Sequence, residues 1–234
     1  MRSRNNRTSA GTIRPFLALL VAAAFASPAR AQDPAGGLYG HLERGVYVSP
    51  TGTFRIESPV QSELGGTITD TPNVATFQDD FTTLVSIGSF AQDATQRWEF
   101  ATRGLRDYLI YFFSNFVLAD FRRVFPGTHA EDSAVFSPGT MDGALFTYVL
   151  LPGGSMFAGK VPFFVSPDKL PPAKRGNVIF VRNGFTFVVS IELAERITEG
   201  SKYSKTPEEE DRILRTRLTA ILSKIQFTKP PASP

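Results

Sequence analysis

The strongest constraint on the fold is a hairpin centred on Asn183-Gly184. The flanking residues, 178–182 and 185–189, are rich in β-branched and aromatic side chains, which favour strands. Asn-Gly tolerates the positive φ angles of a two-residue hairpin turn. Pairing across this turn puts Val178, Phe180, Phe185, Phe187 and Val189 on one face and Ile179, Val181, Thr186 and Val188 on the other. Because both faces are apolar, the hairpin is predicted to lie inside a sheet covered on both sides.

Further strand patterns precede this hairpin. They lie at residues 47–48, 53–56, 66–69, 74–78, 83–90, 134–136 and 144–151. Turn-forming Gly, Pro, Asn and Asp residues separate most of them. We therefore predict a series of antiparallel strands.

Residues 94–124 have helical periodicity. Their apolar side chains recur at spacings of three and four, and Pro126-Gly127 then stops the helix. Only 12 uncharged residues separate Asp107 from Asp120, which is too short a stretch to cross a bilayer. We interpret the segment as a core helix.

A second helix is predicted from Pro207 to about Lys224. Thr206 and Glu209 have the spacing of a capping box, and Pro207 occupies the first helical position, where its missing N–H is not needed.

The first 31 residues predict export. Four arginines precede an apolar run at residues 16–26, and Ala29-Arg30-Ala31 follows as a cleavage pattern. We expect cleavage after Ala31 and an extracytoplasmic protein, periplasmic or secreted. The apolar run is shorter than the roughly 20 residues that span a bilayer, so no transmembrane segment is expected in the mature chain.

Removal of this leader changes the charge balance. The full chain has a formal charge of +3, but five of its 25 basic residues and none of its 22 acidic residues lie in the leader, which leaves −2. Without a basic field, nucleic-acid binding is not expected. The chain has no cysteine, which excludes disulfides and thiolate chemistry.

The composition predicts one globular domain. Residues 32–44 have the Gly and Pro content of a flexible linker, and residues 229–234 are a proline-rich tail that we expect to be disordered. The domain is therefore predicted to span residues 45–228.

Three stretches resemble the PsbP-like family. Residues 47–59 are similar to its opening strand, 183–189 to its penultimate hairpin, and 218–227 to its closing helix and strand. The resemblance implies an α+β fold in which an antiparallel sheet lies between helices, an α/β/α sandwich. It also implies an accessory protein, because members of the family are generally not enzymes.

The segment 151–177 is the expected contact surface. It mixes apolar and cationic residues with five prolines and four glycines, and loops of this length are often functional. We predict that Phe163, Phe164, Lys169, Lys174 and Arg175 contact an envelope protein or a membrane surface. Alternatively, residues 161–165 form an extra strand packed on the core.

Catalytic groups are scarce in the chain. His129, Glu131 and Asp132 form one compact cluster of nitrogen and carboxylate groups, which we interpret as a solvated loop rather than a metal site. Asp70, Asp79 and Asp80 are assigned to turns rather than to a calcium site. No catalytic residue, metal ligand or cofactor is predicted.

The leading functional prediction is a non-catalytic exported accessory or interaction protein of the cell envelope. One alternative is a binder of an apolar ligand or lipid, since some of the 21 phenylalanines, of which two lie in the leader, could line a cavity between helix and sheet. The second alternative is a metal-dependent hydrolase that uses His129.

Overall fold

A computed structural model describes residues 37–160 and 170–229 of the chain. The strands are β1 (His41–Glu43), β2 (Val46–Val48), β3 (Phe54–Glu57), β4 (Thr67–Asp70), β5 (Val74–Gln78), β6 (Leu84–Ala91), β7 (His129–Ala130), β8 (Val135–Ser137), β9 (Ala144–Leu151), β10 (Ala173–Arg182), β11 (Phe185–Glu192) and β12 (Ile225–Phe227). The helices are α1 (Ala94–Arg103), α2 (Leu105–Phe112), α3 (Leu118–Val124), α4 (Glu195–Thr198) and α5 (Pro207–Leu222).

The strands form two antiparallel sheets. The large sheet has the order β4-β5-β6-β11-β10-β9-β7, and β8 also pairs with β9. The small sheet has the order β1-β2-β3-β12. The α+β class with antiparallel sheets and helices, which the sequence predicts, is therefore confirmed.

The central hairpin of β10 and β11 divides the core into two layers. Val178, Phe180 and Phe187 share one apolar cluster with Leu214 and Leu218 of α5 and with residues of the small sheet. Ile179 and Val188 share the other cluster with side chains of α2 and α3. The turn residues Asn183 and Gly184 have φ angles of 53° and 78°, as the Asn-Gly prediction requires.

A row of polar side chains crosses the centre of the large sheet. Successive directly opposed residues are Thr76, Ser86, Ser190, Asn177 and Thr147. All five are buried on the face toward α2 and α3. The Ser190 hydroxyl donates to Asn177 Oδ1 at 2.6 Å, and Thr76 Oγ1 lies 3.2 Å from Ser86 Oγ.

The long helix predicted for residues 94–124 is interrupted twice. Gly104 has a φ of 77°, outside the helical range, which ends α1 before α2 begins at Leu105. A π turn at Phe113–Val117 then separates α2 from α3. The Asn115 side chain donates to the carbonyl oxygen of Tyr111 at 2.9 Å beside this turn.

The predicted linker is wrong at residues 41–43. These residues form β1, because Arg44 and Gly45 adopt positive φ angles of 51° and 82° and fold the chain back onto β2. Asp70 secures this start of the domain by accepting hydrogen bonds from the amides of Tyr39 and Gly40 and from the Tyr47 hydroxyl, at 2.7–2.9 Å.

The predicted C-terminal helix and its capping box are present. The Thr206 hydroxyl accepts from the Glu209 amide and the Glu209 carboxylate accepts from the Thr206 amide. The helix ends at Leu222 rather than near Lys224. The predicted signal peptide and the tail beyond Lys229 lie outside the described residues.

Candidate functional site

Lys174 and Arg175 lie in β10, and the prediction that they contact a partner is wrong for both. Their side chains are buried, Lys174 completely, on opposite faces of the large sheet. Neither side chain can therefore offer its charge to a partner surface. Phe163, Phe164 and Lys169, and the alternative strand at 161–165, lie outside the described residues.

Lys174 is the centre of a buried ion cluster. Its ammonium lies 2.7 Å from Glu131 Oε2, 3.1 Å from Glu210 Oε2 and 2.7 Å from Asp211 Oδ1. Arg196 binds the second oxygen of Glu210 at 2.5 Å. The cluster joins β10 to α4, to α5 and to the residue that follows β7.

The charges within this cluster shift the pKa values of its members. Burial alone would lower the pKa of Lys174, but its carboxylate partners Asp211 and Glu131 outweigh burial and raise it. Burial raises the pKa of Glu131, and Lys174 offsets this effect only in part because Asp211 lies beside the same carboxyl group. The neighbouring carboxylates therefore favour the ammonium form of Lys174.

The arrangement is suited to stabilising the fold rather than to binding a cation. The Lys174 ammonium already occupies the centre of the three carboxylates, where a metal ion would have to bind. No group of three or more histidine, aspartate and glutamate side chains suitable for a metal ion occurs among residues 37–160 and 170–229.

Arg175 forms a separate buried ion pair on the opposite face. Its guanidinium lies 3.3 Å from Glu192 Oε2. Glu192 also accepts hydrogen bonds from the Ser155 hydroxyl at 2.6 Å and from the Met156 amide at 3.2 Å. The Ser155 hydroxyl is therefore used to anchor the loop after β9.

His129 and Glu131 have different partners in the structure. His129 lies in β7, not in the predicted loop, and its exposed ring Nδ1 is 3.2 Å from the carbonyl oxygen of Gly127. Glu131 instead binds Lys174. The cluster that the hydrolase alternative requires is not assembled around His129.

Asp79 organises the turn between β5 and β6. Its Oδ1 accepts hydrogen bonds from the amides of Phe81, Thr82 and Thr83 at 2.8–2.9 Å. Burial alone would raise the pKa of Asp79, but these hydrogen bonds outweigh it and hold the pKa below its ordinary value. Asp79 therefore has the role in a turn that the sequence predicts.

This turn forms one wall of an open cleft of about 350 Å³, which we call the corner cleft. Its lining residues are Pro59, Val60, Gln61 and Leu64 from one wall and Asp79, Phe81, Thr82 and Thr83 from the other. The Asp80 amide donates to the Leu64 carbonyl at 3.2 Å and joins the two walls. The Phe81 and Leu64 side chains are 57% and 44% exposed.

Sequence reasoning missed the corner cleft because its two walls come from turns that look unremarkable by composition. A usable signal was present in the charge distribution. No lysine, arginine or histidine occurs between Arg55 and Arg97, whereas six acidic residues do.

Phe81 lies in the corner cleft, but several other phenylalanines of the described residues are packed in the core, where the apolar-ligand alternative expects a cavity. Phe112, Phe121, Phe146, Phe180 and Phe187 are buried in the two apolar clusters. Phe180 stacks on Phe187 with ring centroids 5.3 Å apart. A second cleft, of about 520 Å³, follows the exposed side of α5 between Arg212 and Ser223 and contains no phenylalanine.

None of the helices in the described part of the chain has the length and apolar character needed to cross a membrane.

No protein-family model and no curated protein matches this sequence. Among solved structures, cyanobacterial PsbP (CyanoP) from Synechocystis sp. PCC 6803 is similar, with 12% identity, a TM-score of 0.45 and coverage of 84% of this chain and 100% of that one. The Ran-binding protein Mog1p of Saccharomyces cerevisiae has 8% identity, a TM-score of 0.41 and coverage of 75% and 90%.

A Bacteroides thetaiotaomicron protein has 11% identity and a TM-score of 0.41, and the match covers 80% of this chain but 50% of that protein. The chain therefore spans about half the length of that relative. Identities and TM-scores this low record a likeness and assign neither a family nor a function.

Proposed function

We propose that this chain is a non-catalytic interaction protein that is exported and acts at the cell envelope. The observation that supports binding is the corner cleft, in which Phe81 and Leu64 are exposed beside Pro59 and Val60. The support for export is the leader pattern that ends at Ala31.

The conformation of the corner cleft favours a binding role. Single exposed apolar side chains are ordinary on protein surfaces. Here, however, two of them flank one cleft. The Asp79 hydrogen bonds hold the backbone of the turn that carries Phe81, so little backbone entropy remains to be lost there when a partner binds.

Capture from the envelope fraction of the source cells tests this proposal. Immobilised mature protein should retain a partner that mass spectrometry identifies, and Phe81→Ser should abolish its retention. Trp98→Ser is the matched control, because Trp98 is similarly exposed, at 62%, but lies on α1. Equal retention by the Phe81 variant and the native chain would contradict the proposal.

Phe163, Phe164 and Lys169 stay proposed as a second contact. If Phe163 and Phe164 face solvent, changing both to serine should alter the free energy of unfolding by less than about 1 kcal/mol and weaken capture. A loss of about 3–5 kcal/mol for each phenylalanine, measured by chemical denaturation, would instead assign them to the core.

A further inference from the structure

The corner cleft lies in an unusually acidic part of the chain. Residues 56–96 carry six carboxylates and no lysine, arginine or histidine. Three of these acidic residues, Glu63, Asp79 and Asp80, lie at the cleft. Asp79 lines it, and Glu63 precedes the lining residue Leu64. The Asp80 amide donates to the Leu64 carbonyl. None of the eight lining residues is basic.

From this combination we infer that the corner cleft binds a segment of a partner protein in which an apolar side chain is flanked by lysine or arginine. The inference rests on the proposed function and adds the chemistry of the partner. The apolar side chain would pack against Phe81 and Leu64. The flanking cations would face Glu63 and Asp80, which are exposed, because the Asp79 carboxylate is buried and already accepts three amide hydrogen bonds. Complementary charge of this kind favours rapid association and rejects partners of like charge.

The size of the cleft agrees with such a segment. About 350 Å³ lies at the small end of the range for ligand pockets and accommodates one or two side chains rather than a folded surface. The acidic rim also disfavours an anionic lipid surface, because the two negative potentials repel each other.

Hydrogen bonds fix the backbone of the corner cleft on both of its walls. The Asp79 carboxylate fixes the turn of Phe81 through three amides, and the amide of Asp80 ties this turn to the wall that contains Leu64. The backbone that carries Phe81 and Leu64 is therefore fixed before a partner arrives. Binding at a rigid site of this kind loses little entropy on the side of the receptor.

Labelled peptides provide the test, read by fluorescence anisotropy on the full mature chain. The probe is a nine-residue peptide with two central leucines and two lysines on each side. One control peptide has glutamates in place of the lysines, and another has serines in place of the leucines. We expect both controls to bind at least about tenfold more weakly, and the affinity of the lysine peptide to fall as salt rises through 0.5 M.

Two protein variants and their controls assign this binding to the cleft. Phe81→Ser should weaken binding of the lysine peptide about tenfold or more, with Trp98→Ser unchanged. Glu63→Lys should weaken it by about three- to tenfold. Asp132→Lys makes the same change of charge after β7, at the opposite edge of the large sheet from β4, and should have no effect. The unfolding midpoint of each variant establishes that it is folded.

The outcomes separate this inference from the proposed function. If lysine and glutamate peptides bind equally, or if Glu63→Lys has no effect, the charge inference is wrong, while Phe81-dependent capture from the envelope fraction would still support an interaction protein. If neither peptide binding nor envelope capture depends on Phe81, both are wrong. Phe81-dependent binding to vesicles of phosphatidylglycerol would overturn the inference in favour of a lipid surface.

Discussion

The ammonium group of Lys174 lies 2.7 Å from the carboxylate of Glu131, and this contact joins a central strand of the large sheet to the residue after β7 at its edge. Lys174 is completely buried, whereas the Glu131 side chain is 18% exposed. Solvent therefore reaches the cluster at Glu131 and also at Asp211, whose side chain is 15% exposed.

Removal of the Lys174 charge should strongly destabilise the protein. Lys174→Met leaves Glu131, Glu210 and Asp211 close together without their shared cation, and breaking a buried ion pair by removing one partner typically costs about 3–5 kcal/mol. Urea denaturation at pH 7 measures the loss. Lys205→Met, at an exposed position, should change the free energy of unfolding by less than about 0.5 kcal/mol. Similar stabilities for the two variants would contradict the structural role of the cluster.

Titration of Glu131 should make the free energy of unfolding depend on pH. Because burial raises the folded-state pKa of Glu131 above its ordinary value of 4.5, the folded state holds its proton to higher pH than the unfolded state does. The contribution of Glu131 to stability is thus greatest below pH 4.5 and falls as the pH rises through the folded-state pKa.

The variant Glu131→Gln removes this titration. The free energy of unfolding of the native chain, minus that of the variant, should decrease as the pH is raised from 4 toward 7. Denaturation curves at half-unit steps of pH measure the difference. A difference that increases over this range would show that the pKa of Glu131 is lowered, not raised.

The turn of the central hairpin should be stable only with a residue that tolerates positive φ at Gly184. Its φ of 78° is strained for a β-branched residue, so Gly184→Val should cost about 1–3 kcal/mol, read as a lower melting temperature. Gly139→Val is the matched control, because a Cβ atom at Gly139 meets no atom within 4 Å and no positive φ is involved. Equal melting temperatures for the two variants would mean that the turn has another conformation in solution.

Export should remove the leader after Ala31. Mass measurement of the protein recovered from outside the cytoplasm should give an N-terminus at Gln32, because the small residues at positions 29 and 31 fit signal peptidase. A chain that retains Arg2 would count against the proposed localisation.

Elements with a local signal could be predicted from the sequence. The Asn-Gly turn sets the φ angles of two neighbouring residues, and the Thr206–Glu209 capping box uses groups three residues apart. Both signals lie within a few residues, so no knowledge of the remaining fold was needed. The two apolar faces of the hairpin followed from the alternation of side chains along a strand.

The environment of Lys174 and Arg175 could not be predicted in the same way. Their carboxylate partners Glu131, Glu192 and Glu210 lie on other elements, so the local sequence showed only two cations near prolines and glycines. The corner cleft was missed for the same reason, because the Leu64 and Phe81 turns meet only after β4, β5 and β6 have paired. Both the buried ion pairs and the corner cleft are formed by contacts between segments that are distant in the sequence.

The polar row from Thr76 to Thr147 has a consequence for how the strands find their partners. A strand that slipped by one residue would turn its hydroxyl or amide group toward α5 and place an apolar side chain among the remaining polar ones. Every such misaligned pairing would leave a buried polar group without a hydrogen-bond partner. The row thus favours one pairing register across the five strands. A sheet of uniformly apolar strands would tolerate many shifted registers.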